Sequence, residues 1–222
     1  MSSRTVALTF DDGPGPHTAE VLAILAEHDV RATFFVTGAH VRANLALAAQ
    51  VVAEGHLLGN HTYTHPQDVP GSRPRGHFDL LPAHQQASQI DTTTEQIVEA
   101  TGVAPRYFRG PGGHHFSVLT SELVRARGMA VAHWTADSGD WNAPAQLSTD
   151  FQESILDAAR GAVAAGSSGS HQMMLMHDAK ASAESEDDLS SFRGNTVAAL
   201  PAVIEIFGAA GYAFTDPAGA VR

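Results

Sequence analysis

Cysteine is absent from the 222 residues, which rules out disulfides and thiolate-held metals and leaves the cellular compartment open. Basic residues are scarce: 13 Lys and Arg stand against 24 Asp and Glu, a formal net charge of -11 at pH 7. That balance argues against nucleic acid or an anionic membrane surface as a partner, because both are held largely by Lys and Arg. No apolar run reaches the ~18 residues that would mark a membrane span. The opening "MSSRTVALTF" is expected to enter a strand almost at once and does not read as a signal peptide, which leaves a mature or trimmed chain as the expectation. Histidine is what abounds, with 13 copies of the commonest metal ligand and the one side chain titrating near neutrality. A hydrophobic content of 43% supports one sizeable core, so residues 1–222 are expected to form a single domain.

Short β-branched or aromatic runs alternate with longer segments of helical period, the pattern of parallel strands covered by helices. Strands are expected over residues 5–10, 31–36, 56–61, 106–110, 129–135, 172–177 and 212–215, with amphipathic helices between them. Several of those helices open on Thr, Ser or Asn and close on Gly. Seven such units predict an α/β fold, a distorted and incomplete (β/α) barrel with about seven parallel strands; a flat doubly wound sheet is the alternative. Two longer loops, residues 66–82 and 181–194, interrupt the rhythm and have the length of functional segments.

The polar residues fall into register with these strands. "TFDDGPGP" ends the first strand on adjacent carboxylates, Asp11 and Asp12, which repel unless a cation or hydrogen-bond donors are supplied. His61 ends the third strand, Arg109 the fourth, Asp137 and Asp140 follow the fifth, and His177 with Asp178 ends the sixth. All lie at C-terminal strand ends, the face on which βα barrels build active sites. "HTYTH" spaces His61 and His65 at i, i+4, close enough to chelate one ion. A strand-one carboxylate would complete two His and one Asp, leaving positions for water and substrate as catalytic sites do. The other carboxylate would stay free to take a proton. Each residue also has a plainer reading: the Asp pair as turn and helix caps, Arg109 as a surface ion pair, Trp141 and Leu175 as packing. Their joint placement favours a site.

"TFDDGP", "HTYTH", "RGPGG", "DSGDW" and "LMHD" occur in an order and spacing that resembles the five motifs of the polysaccharide deacetylases, the carbohydrate esterase family four or NodB homology domain. The resemblance covers nearly the whole chain and implies a distorted (β/α) barrel. It implies that Asp12, His61 and His65 bind one divalent metal, zinc foremost with cobalt or nickel as substitutes. It further implies that Asp11 is the general base, that His177 is the general acid, that Arg109 orients the base and that Asp140 holds the acid. The Gly112 N–H would donate to the oxyanion, and Trp141 and Leu175 would wall the acetyl pocket. One departure stands out: many members carry an aromatic residue after the Pro of "RGPGG", where this chain has Gly112 and Gly113, so one side of the cleft is expected to be open.

The activity so implied is metal-dependent removal of acetyl groups from N-acetylglucosamine units of chitin-type chains. Acetylxylan esterase and peptidoglycan deacetylase are the alternatives. The expected partner is an oligo- or polysaccharide, not nucleic acid or membrane. A bacterial, secreted monomer is the expectation, with a cytoplasmic location left open. Non-haem iron oxygenases also use two His and one carboxylate, but usually within β-rich jelly rolls. An inactive relative would lack the base, a ligand or the acid, and here all are present. The remaining histidines read as structural or solvated, except His114 and His115, which follow the glycines onto the active face.

Overall fold

Along the first strand Val6, Leu8 and Phe10 alternate with Ala7, Thr9 and Asp11, and both sets are buried. A strand covered on both faces reads as a continuous apolar run, and here the two faces meet different partners. The computed structural model describes residues 3–67, 77–113, 117–144, 146–181 and 192–221. In chain order the elements are β1 (Arg4–Asp11), α1 (Thr18–Glu27), β2 (Thr33–Val36), α2 (Gly38–Ala43), α3 (Leu45–Ala53), β3 (Leu57–Asn60), α4 (Ala83–Thr101), β4 (Tyr107–Phe108) and α5 (Val118–Ala126). They continue with β5 (Ala130–Val131), β6 (Ala136–Asp137), α6 (Thr149–Ala165), β7 (His171–His177), α7 (Gly194–Ala209) and β8 (Tyr212–Phe214).

All these strands pair in parallel, in the order β5-β4-β3-β2-β1-β7-β6. β1 is the hub. β7 runs along one edge from Thr5 to Asp11, while the other edge is shared between β8, beside Arg4–Val6, and β2, beside Thr9–Asp11. The expected strands are present, but the expected fifth, over 129–135, divides into two. Ala130–Val131 pairs with β4 at one edge of the sheet and Ala136–Asp137 with β7 at the other, so residues 132–135 cross between the edges. The sheet therefore curls into a half-barrel, the distorted and incomplete form expected. Helix α2 was not expected, since six residues are too few to show a helical period. Elsewhere the caps behave as their chemistry suggests. Ser117 and Ser148 accept from the Thr120 and Phe151 amides, and Gly102 ends α4 at φ 71°.

Outward-facing Val6, Leu8, Phe10, Phe34 and Met176 pack with helix residues such as Leu25, Leu200 and Phe207 in the main core. Inside the curl, Ala7, Phe35, Tyr107, Ala132 and Met173 form a separate apolar floor. Moving up β1 on this inner side, Ala7 gives way to Thr9 and then Asp11; on β7, Met173 gives way to Leu175 and then His177. The barrel is thus apolar at its base and ionisable at its mouth. Phe10 is fully buried and stacks on Phe34 at a centroid distance of 5.1 Å. Phe10→Ala is expected to lower the unfolding free energy by about 3 to 5 kcal/mol in urea titration, and a loss under about 1 kcal/mol would contradict this account of the core.

Candidate active site

Arg109 follows β4 directly and is fully buried. Its Nη1 donates to Asp11 Oδ1 at 2.7 Å and to Thr9 Oγ1 at 2.9 Å, and its Nε donates to the Ala132 carbonyl at 3.1 Å. The guanidinium carbon stands 4.1 Å from the Phe35 ring centroid. Burial works against this charge and Asp11 supports it. Because Ala132 belongs to the segment crossing between the sheet edges, one side chain both anchors that segment and pairs the first carboxylate.

The second carboxylate meets a different partner set. Asp12 Oδ1 lies 3.5 Å from both His61 Nε2 and His65 Nε2, and His61 Nε2 lies 3.6 Å from Asp11 Oδ2. Asp12 Oδ1 is buried and makes no hydrogen bond among the described residues. One donor atom from each of Asp12, His61 and His65 falls within 4.8 Å of the others. Ligands held tetrahedrally at about 2.0 to 2.2 Å from an ion stand about 3.3 to 3.6 Å apart, so the residues fit a divalent cation. His61 Nδ1 donates to the Arg109 carbonyl at 2.7 Å, which turns its Nε2 lone pair toward Asp12. Burial pushes His65 down to about 4, keeping it in the neutral form that ligates. Burial alone would raise Asp12, but His65, His61 and His177 pull it well below the usual carboxylate range.

His61 and His65 lie on a turn and not on a helix. Thr62 and His65 there adopt φ of 68° and 51°, and Asp12 adopts 77°. Three non-glycine residues in the left-handed region of one site store strain of about 1 to 3 kcal/mol each, which the surrounding packing sustains.

On the far side of the cluster His177 Nδ1 donates to Asp140 Oδ1 at 2.7 Å. Asp140 Oδ2 accepts from the His177 amide at 2.8 Å and from Thr196 Oγ1 at 2.6 Å. Burial disfavours charge on His177, but Asp140 outweighs it and pushes the imidazole up to about 9. Arg109 and Asp140 stand behind a cavity of about 230 Å³ that is lined by Asp11, Asp12, His61, His65, Gly112 and His177, together with Asp137, Trp141 and Leu175. Leu175 is buried in its wall, and Trp141, 51% exposed, forms part of the rim.

Several participants carried no signal in the sequence. His40, read there as structural or solvated, donates from Nδ1 to the Asp12 carbonyl at 2.6 Å. Thr18 donates to Asp178 Oδ2 while accepting from the Gly15 amide at 2.7 Å, which fastens the loop carrying Asp12 to the end of β7. Burial pushes Asp178 up to about 7. Gln67 and Trp134 also line the cavity. They correct the expectation of an open cleft side: Gln67 covers Gly112, and the Trp134 ring covers Gly113. His114 and His115, like most of the two long loops, lie outside the described residues.

The family model for polysaccharide deacetylase matches residues 1–132. The chain belongs to the polysaccharide deacetylase family. Within and around that family, it is 36% identical over 214 residues to a chitooligosaccharide deacetylase of Rhizobium leguminosarum bv. trifolii, covering 94% of this chain and 88% of that protein. It is 31% identical over 219 residues to a peptidoglycan-N-acetylglucosamine deacetylase of Bacillus cereus, covering 95% of this chain and 68% of the relative. Among solved structures, a family 4 carbohydrate esterase from Streptomyces lividans, in complex with acetate, superposes with a TM-score of 0.76 at 29% identity, covering 98% of each chain. These likenesses extend past the segment that the family model matches.

The Asp140–His177 pair sets a titration. An unfolded His177 titrates near 6.5, and in the fold it is pushed up to about 9. Its contribution to stability is therefore complete below pH 6.5 and is lost as pH rises through about 9. In metal-free protein the His177 ring proton is expected to titrate in NMR well above the ordinary histidine range, and Asp140→Asn should bring it down by at least about one pH unit. Equal midpoints in the two proteins would contradict the pairing.

Proposed function

We propose that this chain is a metal-dependent hydrolase that removes acetyl groups from N-acetylglucosamine units of chitin-type oligosaccharides, releasing acetate. The observation that carries this reading is one cavity at the barrel mouth. It holds an unsatisfied buried carboxylate oxygen facing two imidazole nitrogens, with Asp11 on one side and His177 on the other. The likeness to a chitooligosaccharide deacetylase over nearly the full chain supports the substrate class.

Asp12, His61 and His65 are the residues that would hold the ion, zinc foremost. Bound there, it supplies Lewis-acid polarisation of the acetyl carbonyl and acidifies water. Arg109 fixes Asp11 Oδ1 and leaves Oδ2 on the side of the cluster, where it can accept a proton from the attacking water. The Gly112 N–H is the donor proposed for the developing oxyanion. Leu175 and Trp141 enclose the acetyl methyl. An amine leaves poorly unless protonated, and His177 answers that need. Its Nδ1 is engaged by Asp140, so Nε2 is the atom that delivers the proton. An ester would scarcely require so strongly supported an acid, which favours the amide substrate over acetylated xylan.

Acetate release from chitotetraose should vanish on chelation and return on adding zinc or cobalt. Asp11→Asn is expected to keep bound metal while kcat falls by about 100-fold or more, whereas Asp12→Ala loses the metal. Metal analysis and turnover on the two variants decide this, and equal metal loss in both would overturn the division of roles. Turnover should rise with oligomer length, with intact peptidoglycan and acetylxylan slower. A clear preference for either polymer would displace the chitin-type assignment.

A further inference from the structure

Gly112 and Gly113 sit at φ of 57° and 77°, and neither could carry a side chain where the cavity wall now stands. A Cβ added at Gly112 would lie 2.7 Å from Gln67 Nε2 and 2.9 Å from Gln67 Cδ. A Cβ added at Gly113 would lie 2.8 Å from Trp134 Cη2. The loop thus contributes bare backbone, and the wall at this point is a carboxamide and an indole supplied by two other segments. Both line the cavity that holds Asp11, Asp12 and His177. Gln67 is half-buried, and its carboxamide forms no hydrogen bond among the described residues. A carboxamide that has no partner among the described residues and lines the cavity can offer both an N–H donor and a carbonyl acceptor to a ligand.

We infer that Gln67 is a specificity-determining residue that hydrogen-bonds a hydroxyl group of the sugar bearing the acetyl group, with the Trp134 indole covering the apolar face of the same ring. This rests on the carbohydrate-deacetylase reading above. The placement follows from the glycine: the carboxamide lies against Gly112, whose N–H faces the acetyl carbonyl in that reading, so Nε2 and Oε1 reach the groups flanking the acetylated carbon. A pyranose offers both kinds of surface at once, hydroxyls at its edge and C–H groups on its face, and an indole beside a carboxamide complements that combination. Among the described residues Gln67 makes no hydrogen bond to the Asp140–His177 pair or the Arg109–Asp11 pair, so its contribution belongs to sugar binding and leaves proton transfer alone.

The experiment separates binding from turnover. Calorimetry with chitotetraose is done on metal-loaded Asp11→Asn protein, with and without Gln67→Leu, alongside wild-type turnover. Losing one such hydrogen bond is expected to weaken Kd about tenfold. In otherwise wild-type enzyme Gln67→Leu should raise KM by a similar factor, with kcat within about threefold. Gln67→Glu keeps the shape and removes the Nε2 donor, so it should weaken Kd in the same direction; bound metal and melting temperature report the fold of each variant. A Kd unchanged by both substitutions, or a fall in kcat at constant KM, overturns the role of Gln67. Failure of the wild type to release acetate overturns the deacetylase reading instead, and the binding comparison still decides whether Gln67 contacts the sugar.

Discussion

The buried ion pair between Arg109 and Asp11 is the interaction on which the rest of this structure depends. A guanidinium with no exposure to water is tolerable only where its donors are matched, and here Asp11, Thr9 and the Ala132 carbonyl take them at 2.7 to 3.1 Å. Removing one member of such a pair costs about 3 to 5 kcal/mol because the other is left charged and dry. The same arginine holds the start of the segment that crosses from β5 to β6. Electrostatic support for the site and anchoring of that segment are therefore the work of one side chain.

From that contact the adjacent carboxylates become intelligible. Two like charges at the end of a strand are divided between two sets of partners: Asp11 faces the fixed charge of Arg109, and Asp12 faces two histidines with which it could hold an ion. The backbone takes part in the division. Asp12 turns into the left-handed region immediately after β1, so successive carboxylates point to different partners and not to the same one. His61 links the halves, since its Nδ1 bonds the Arg109 carbonyl while its Nε2 faces Asp12.

Much of this was legible in the sequence because strand ends, motif spacing and residue chemistry are local signals. Asp11, Asp12, His61, Arg109 and His177 each sit at or just after a strand, and a parallel βα arrangement brings such positions together whatever their separation in the chain. What escaped was set by tertiary geometry. The split of the fifth strand depends on which edge each half meets. Thr196 reaches Asp140 from a helix 56 residues away, a contact that no periodicity announces. Gln67 and Trp134 were missed for a related reason: a lone Gln or Trp beside a motif reads as surface or packing, and only the bare backbone of Gly112 and Gly113 shows what fills the space.

The pairing of β1 carries a consequence for how the protein is made. This strand leaves the ribosome well before two of its three sheet neighbours, β7 and β8. Asp11 pairs across to His177, and no shorter chain brings those two groups together. A fold dominated by such long-range closure forms late and slowly compared with one built from local contacts. Nascent chains that stop before residue 171 hold the carboxylates and imidazoles of the ion cluster without the strand that completes the cleft. The cleft is thus complete only once β7 has been made, and until then β1 has β2 alone of its three neighbours beside it.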